Sequence, residues 1–109
     1  MELTDAEAEK FWPVYDQYTT ETTKINDTRL ALIKEYAENY LKMTDGEAQK
    51  LLEGWVGVDE SFIQLRLKYI PRFEKVLSNT KAARFFQIDR RLRLLLDIQL
   101  MSQIPLITP

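Results

Sequence analysis

The chain has 109 residues, 45% of them hydrophobic and 29% charged, with a formal net charge of −2 and neither cysteine nor histidine. That length fits one domain with a modest core, and the balance of apolar and charged residues argues against global disorder. Without Cys or His there is no disulfide, no thiolate nucleophile, no Cys-based zinc site and no imidazole to act as base or ligand.

Three glycines and four prolines are too few for the turns of an all-β sandwich, so the composition leans helical. No apolar stretch approaches the roughly 18 residues of a membrane span. Met1-Glu2-Leu3-Thr4 lacks the basic and apolar regions of a signal peptide. The net charge hides an asymmetry: residues 1–60 sum to −8 and residues 61–109 to +6. An acidic first part lying antiparallel to a basic second part would neutralise it. The sharper reading is a basic surface for an anionic partner.

The first predicted segment covers residues 4–42. Thr4 can cap the first helical turn, and Glu7 can reach back to the Thr4 N–H. Asp5 and Glu7 also suit the positive end of the helix dipole. Phe11, Tyr15, Tyr18, Thr22, Ile25, Arg29, Leu32 and Tyr36 then recur at spacings of four and three, the seam of a helix pair. Thr19, Thr20, Thr22 and Thr23 make the middle of this helix its softest stretch. Pro13 either kinks one helix or separates a short first helix from the next.

The second segment, residues 44–78, repeats that opening. Met43-Thr44-Asp45-Gly46-Glu47-Ala48 matches Leu3-Thr4-Asp5-Ala6-Glu7-Ala8 at an offset of forty residues. Apolar residues follow at Leu51, Leu52, Trp55, Val58, Phe62, Leu65, Tyr69, Phe73 and Val76. Gly54 and Gly57 together cost the helix about 2 kcal/mol relative to Ala. They either allow another helix to approach near Trp55 or mark a bend. Pro71 predicts a second kink.

Ser78-Asn79-Thr80 form a break, and a third segment covers residues 80–103. Its expected core stripe is Phe85, Ile88, Leu92, Leu95 and Gln99. Phe86, Leu94, Leu96, Ile98, Leu100 and Met101 cover much of the remaining circumference, so the helix needs cover on more than one face. The tail, residues 104–109, is too rich in proline to be helical and apolar enough to dock on a surface.

Residues 1–109 thus read as a single all-α domain of three to four long, bent, antiparallel helices arranged as a helical hairpin. A helix of 35 residues spans about 50 Å, and an extended hairpin has little interior. A second copy, intertwined as a two-fold homodimer, is the simplest cover. Exposed apolar surface that binds other proteins is the alternative.

Chemistry finds little foothold. No serine has a histidine partner and no Gly-rich phosphate loop exists. The carboxylate pairs Glu7 with Glu9 and Asp59 with Glu60 read as solvated faces. Met1, Met43 and Met101 are scattered. The chain is therefore expected to be no enzyme and to hold no metal and no cofactor. Residues 81–93 mix bases with aromatics, but Arg84, Gln87 and Arg91 share one face while Phe85, Ile88 and Leu92 share another. With a negative overall charge, nucleic acid is not expected as a partner. The expected protein-binding or dimer surface comprises Arg84, Phe86, Arg90, Arg91, Arg93, Leu94, Ile98 and Met101. The capping motif, Thr4 with Glu7 and Thr44 with Glu47, marks helix starts only.

The duplicated opening resembles the paired Leu-Thr-x-x-Gln motifs of the Spy/CpxP family of bacterial periplasmic stress proteins. Glu7 and Glu47 stand where glutamine is usual, and Met43 replaces leucine. Phe11 to Tyr15, Phe-Trp-Pro-Val-Tyr, and Ala83 to Ile88, Ala-Arg-Phe-Phe-Gln-Ile, also look like segments of exported relatives. The resemblance implies a periplasmic, cradle-shaped antiparallel homodimer. It further implies binding of unfolding proteins without ATP, or modulation of envelope-stress signalling. The metal-sensing role of some relatives uses His and Met and does not fit a chain without histidine. A structural or signalling subunit that recognises one defined partner through the basic helix is the alternative reading.

Overall fold

At Thr4 the backbone is extended, and its side chain closes the first turn of a helix. Thr4 Oγ1 accepts from the Glu7 N–H at 3.2 Å, and the Thr4 N–H donates to Glu7 Oε1 at 3.1 Å. The reciprocal pair satisfies two of the donors that a helix start leaves free. Helix α1 then runs Asp5–Asn39. The structure is a computed structural model that describes residues 2–107.

Pro13 does not split α1. The threonine-rich stretch is also helical throughout. Thr20 and Thr23 donate their hydroxyls to the carbonyls of Asp16 and Thr19, each at 2.9 Å, which ties up groups that otherwise compete with the helix. All eight residues of the predicted α1 seam are buried or half-buried.

Helix α2 runs Asp45–Glu74. Its opening is only half a copy of the first. Thr44 Oγ1 accepts from the Glu47 N–H at 3.2 Å, but its own hydroxyl donates to Glu47 Oε1 at 3.0 Å. Glu47 therefore does not reach back to the Thr44 N–H. Leu51, Val58, Phe62, Leu65, Tyr69 and Phe73 face inward as expected, whereas Leu52 and Trp55 are exposed. Pro71 lies in the last turn, just before the chain leaves the helix at Lys75.

Helix α3 runs Asn79–Met101. Ser78 is its cap, accepting from the Lys81 N–H at 3.3 Å, so the helix starts earlier than the predicted residue 80. Three helices account for the regular structure among the described residues, and their ends fall short of the predicted 42, 78 and 103.

Contacts fix the directions. Tyr18 meets Tyr69, Glu21 meets Lys68, and Leu32 packs on Gly54, so α2 descends as α1 ascends. Phe11 meets Phe85, Tyr18 meets Asp89, and Arg29 meets Asp97, so α3 ascends beside α1. The resulting bundle measures 55 × 22 × 18 Å. A helix of 35 residues is about 52 Å long, so α1 alone sets the long axis.

The core is aromatic and lies where α1 begins, α2 ends and α3 begins. Phe11, Tyr18, Leu65, Tyr69, Phe73, Leu77, Ala82 and Phe85 form it. Phe73 is fully buried, and its ring centroid is 4.4 Å from that of Phe85. Large rings hold α3 away from α1: no Cα of one comes within 8 Å of a Cα of the other. At Gly54 the α1–α2 pair is tight, because a Cβ there would lie 2.9 Å from Leu32 Cδ2. Close approach is therefore the role of Gly54. Gly57 has open space around it.

Candidate functional site

Helix α3 presents a face that its sequence does not announce. Of the predicted core stripe only Phe85 is buried; Ile88, Leu92 and Leu95 are 38%, 57% and 65% exposed. The inward row is instead Ala82, Phe85, Asp89, Arg93, Asp97 and Leu100. The aromatic cluster sets this rotation. Phe85 and Phe86 are both held among the rings of Tyr18 and Phe73, so a step of four residues from Phe85 points back into the bundle.

The inward charges are all met. Asp89 Oδ2 accepts from the Tyr18 hydroxyl at 2.7 Å and from Arg93 Nε at 3.3 Å. The Arg93 guanidinium lies 4.8 Å from the centre of the Phe62 ring, within cation–π range. Asp97 pairs with Arg29 of α1. Burial, then the hydrogen bond to Asp89, pushes the Tyr18 phenol up to about 12. Sequence reasoning missed this polar ladder. The signal was the i, i+4 series Asp89, Arg93, Asp97, which places alternating charges on one face.

The predicted surface is divided by the fold. Arg84, Arg90, Arg91, Leu94, Ile98 and Met101 are exposed. Phe86 is half-buried against the aromatic core, and Arg93 is turned inward and tied to Asp89. The exposed apolar row on α3 comprises Ile88, Leu92, Leu94, Leu95, Leu96, Ile98 and Met101. A second stripe runs along the flank of α2 through Leu52, Val56, Ile63 and Leu67.

Between the rows lies a groove. At the end of the bundle away from the aromatic core the α1–α3 gap is unfilled. A cavity of about 270 Å³ remains, lined by Ile33, Tyr36, Val58, Leu100, Met101 and Ile104. The tail borders it: Ile104 lines the cavity and the Tyr36 hydroxyl donates to the Pro105 carbonyl. The docking expected of the tail is thus realised by Ile104 and Pro105, while Leu106 is exposed and residues 108–109 lie outside the described residues. Along the groove a second cavity of about 310 Å³ shares Arg29, Asp59, Phe62 and Asp97 with the first. It adds Ile63, Arg66, Arg90, Arg93 and Leu94. The chain matches no protein-family model, no curated protein and no solved structure.

The capping motifs also differ in what they touch. Glu7 Oε1 accepts from Lys81 Nζ at 2.6 Å, linking the starts of α1 and α3. Lys81, then the Thr4 N–H, holds the Glu7 carboxyl below its ordinary range. No salt bridge involves Glu47 among the described residues. No helix is long and apolar enough to cross a membrane, and no group of three or more Asp or Glu could hold a metal ion, both among the described residues.

Proposed function

We propose that this chain is a non-catalytic protein-binding module that self-associates through the outward face of α3. The observation that carries the reading is the apolar row itself. Leu94, Leu95, Leu96, Ile98 and Met101 are each half or more exposed on one short helix. Contiguous apolar surface of that kind marks interfaces in soluble proteins. Arg84 and Arg91 stand among these residues on the outward side of α3, between Leu94, Ile98 and Met101 on one flank and Ile88, Leu92 and Leu95 on the other, so the surface mixes apolar and basic groups. An antiparallel pairing of α3 with α3 of a second copy would bury the row on both by one self-complementary contact. In this reading two helical hairpins intertwine as a homodimer.

Placement in the bacterial periplasm, and an ATP-independent chaperone or stress-regulating role, rest on the resemblance of the two Thr-Asp-x-Glu openings. A surface of mixed apolar and basic groups suits a non-native client, which offers apolar segments and acids together.

Sedimentation equilibrium of the wild type and of a Leu92→Glu/Leu95→Glu variant tests self-association. The expected result is a dimer for the wild type and a monomer of unchanged helicity for the variant. A wild type that stays monomeric at every accessible concentration sinks the dimer. Light scattering of a chemically denatured client at several-fold excess of this protein tests the chaperone form, which no suppression of aggregation would remove.

A further inference from the structure

We infer that the groove between α3 and the α1–α2 pair binds a monomeric medium-chain fatty acid, with the alkyl chain in the apolar cavity and the carboxylate at Arg66 and Arg90. Bulky rings hold α3 off α1 at one end, and at the other Tyr36 and Phe62 line the gap without filling it. The remaining 270 Å³ exceeds the roughly 150 Å³ of an apolar protein cavity that takes up benzene. Its lining sets Ile33, Tyr36, Val58, Leu100 and Met101 beside the charged groups Arg29, Asp59 and Asp97, so most of the wall, though not all of it, is hydrocarbon.

Charge selects the head group. The two cavities share Arg29, Asp59, Phe62 and Asp97 and so adjoin, with the Arg29–Asp97 pair at their boundary. Arg29 is matched by Asp97, and Arg93 by Asp89. Arg66 and Arg90, which line the second cavity, form no salt bridge among the described residues. Arg66 Nε is moreover buried with no hydrogen-bond partner. A buried donor left unmet is costly, and native structures rarely tolerate one. A carboxylate would supply the missing acceptor, in the forked geometry that guanidinium groups favour. Among the described residues Asp59 is the one acid lining the groove that forms no salt bridge, which leaves an excess of one positive charge.

The occupant is a single-chain amphiphile. A cavity of about 270 Å³ suits one medium-length alkyl chain and has no room for two. Leu94 and Met101 of the α3 face line the cavities, whereas Ile88, Leu92 and Leu95 border neither, so the Leu92→Glu/Leu95→Glu variant separates the two readings: it removes self-association and leaves the decanoate site intact.

Trp55 lines the apolar cavity and Trp12 does not, so a Trp12→Phe variant of the full chain carries a single reporter. Titration with decanoate below its micelle concentration is expected to give a saturable blue shift of Trp55 fluorescence. Calorimetry is expected to show one site per chain. Each methylene removed weakens burial by about fourfold, so octanoate binds more than tenfold less tightly. Arg66→Gln and Arg90→Gln each weaken decanoate by about tenfold or more, the loss expected for a charge-assisted hydrogen bond. Asp59→Asn tightens it. Arg90 is exposed, so its variant keeps the test open should Arg66→Gln fail to fold. Decanol and decylammonium bind more weakly than decanoate. The inference is overturned if decanol binds as tightly as decanoate, if Arg90→Gln binds as the wild type does, or if only anionic phosphatidylglycerol vesicles shift Trp55.

Discussion

The Tyr18 hydroxyl donates to Asp89 Oδ2 at 2.7 Å, joining residues 71 positions apart. Arg93 Nε donates to the same carboxylate, and its guanidinium covers Phe62. One phenol on α1 therefore sets the position of an acid on α3 and, through it, an arginine against α2. Tyr18→Phe keeps the ring against Tyr69 and removes the bond. It is expected to cost about 1.5–3 kcal/mol, the range for a hydrogen bond to a charged group. Urea unfolding measures this, and an unchanged midpoint would show that the bond contributes nothing net.

The same bond has a pH signature. Burial and Asp89 raise the Tyr18 phenol from 10.0 to about 12, so the fold favours the neutral form. Its contribution is complete below the unfolded value near 10 and is lost as pH rises from about 10 to about 12. Alkaline titration of tyrosinate absorbance is expected to show late-ionising residues among the five tyrosines. In Tyr18→Phe the latest of these transitions disappears; its persistence would place the shift elsewhere.

At the acid end Glu7 matters. Lys81 and the Thr4 N–H lower its carboxyl, so its stabilisation is present above the unfolded carboxylate value, near 4.3, and is lost as pH falls through the folded value. Glu7→Gln retains an oxygen for the Thr4 N–H but loses the attraction to Lys81. Acid unfolding followed by circular dichroism is expected to start at higher pH in the wild type, relative to its own neutral stability, than in the variant. Glu21, lowered by Lys68, keeps part of the dependence in both. Superimposable acid profiles would rule out a contribution from the Glu7–Lys81 pair.

Phe73 is the keystone of the aromatic core, wholly buried and packed on Phe85. Phe73→Ala is expected to cost about 3–5 kcal/mol, the usual range for emptying such a site. It should also release α3 first, because Phe85 loses its closest ring. Amide exchange of α3 compared with the start of α1 checks this order; uniform loss of protection would show that the bundle opens as one unit.

The two inner glycines of α2 separate helix propensity from packing. Gly57 has open space where a Cβ would stand, so Gly57→Ala is expected to stabilise by about 0.5–1 kcal/mol. At Gly54 the added methyl meets Leu32 at 2.9 Å, and the same gain is offset by displacement of that side chain. Thermal denaturation of the two variants should rank Gly57→Ala above Gly54→Ala; the reverse order would refute the packing role of Gly54.

Much of this architecture is legible residue by residue. Thr4 and Thr44 announce helix starts because capping involves groups only three residues apart. The α1 seam from Phe11 to Tyr36 is readable because its spacing of four and three places those side chains on one face whatever they meet. The same reasoning failed for α3. Its apolar residues occupy several faces, so periodicity offers no single inward side. The charges at Asp89, Arg93 and Asp97 look like a solvated edge until their partners are known.

The sequence by itself determined an all-helical chain, the two duplicated starts, the long first helix and the absence of Cys and His chemistry. Each follows from composition or from interactions within one or two turns. The tertiary structure alone decided which face of α3 turns inward, that Glu7 is tied to Lys81 while Glu47 has no such partner, and where the groove lies. Those outcomes depend on groups far apart in the chain. Tyr18, Phe62 and Arg29 make an inward Asp89, Arg93 and Asp97 tolerable, and bulky rings at one end of the bundle leave the space at the other.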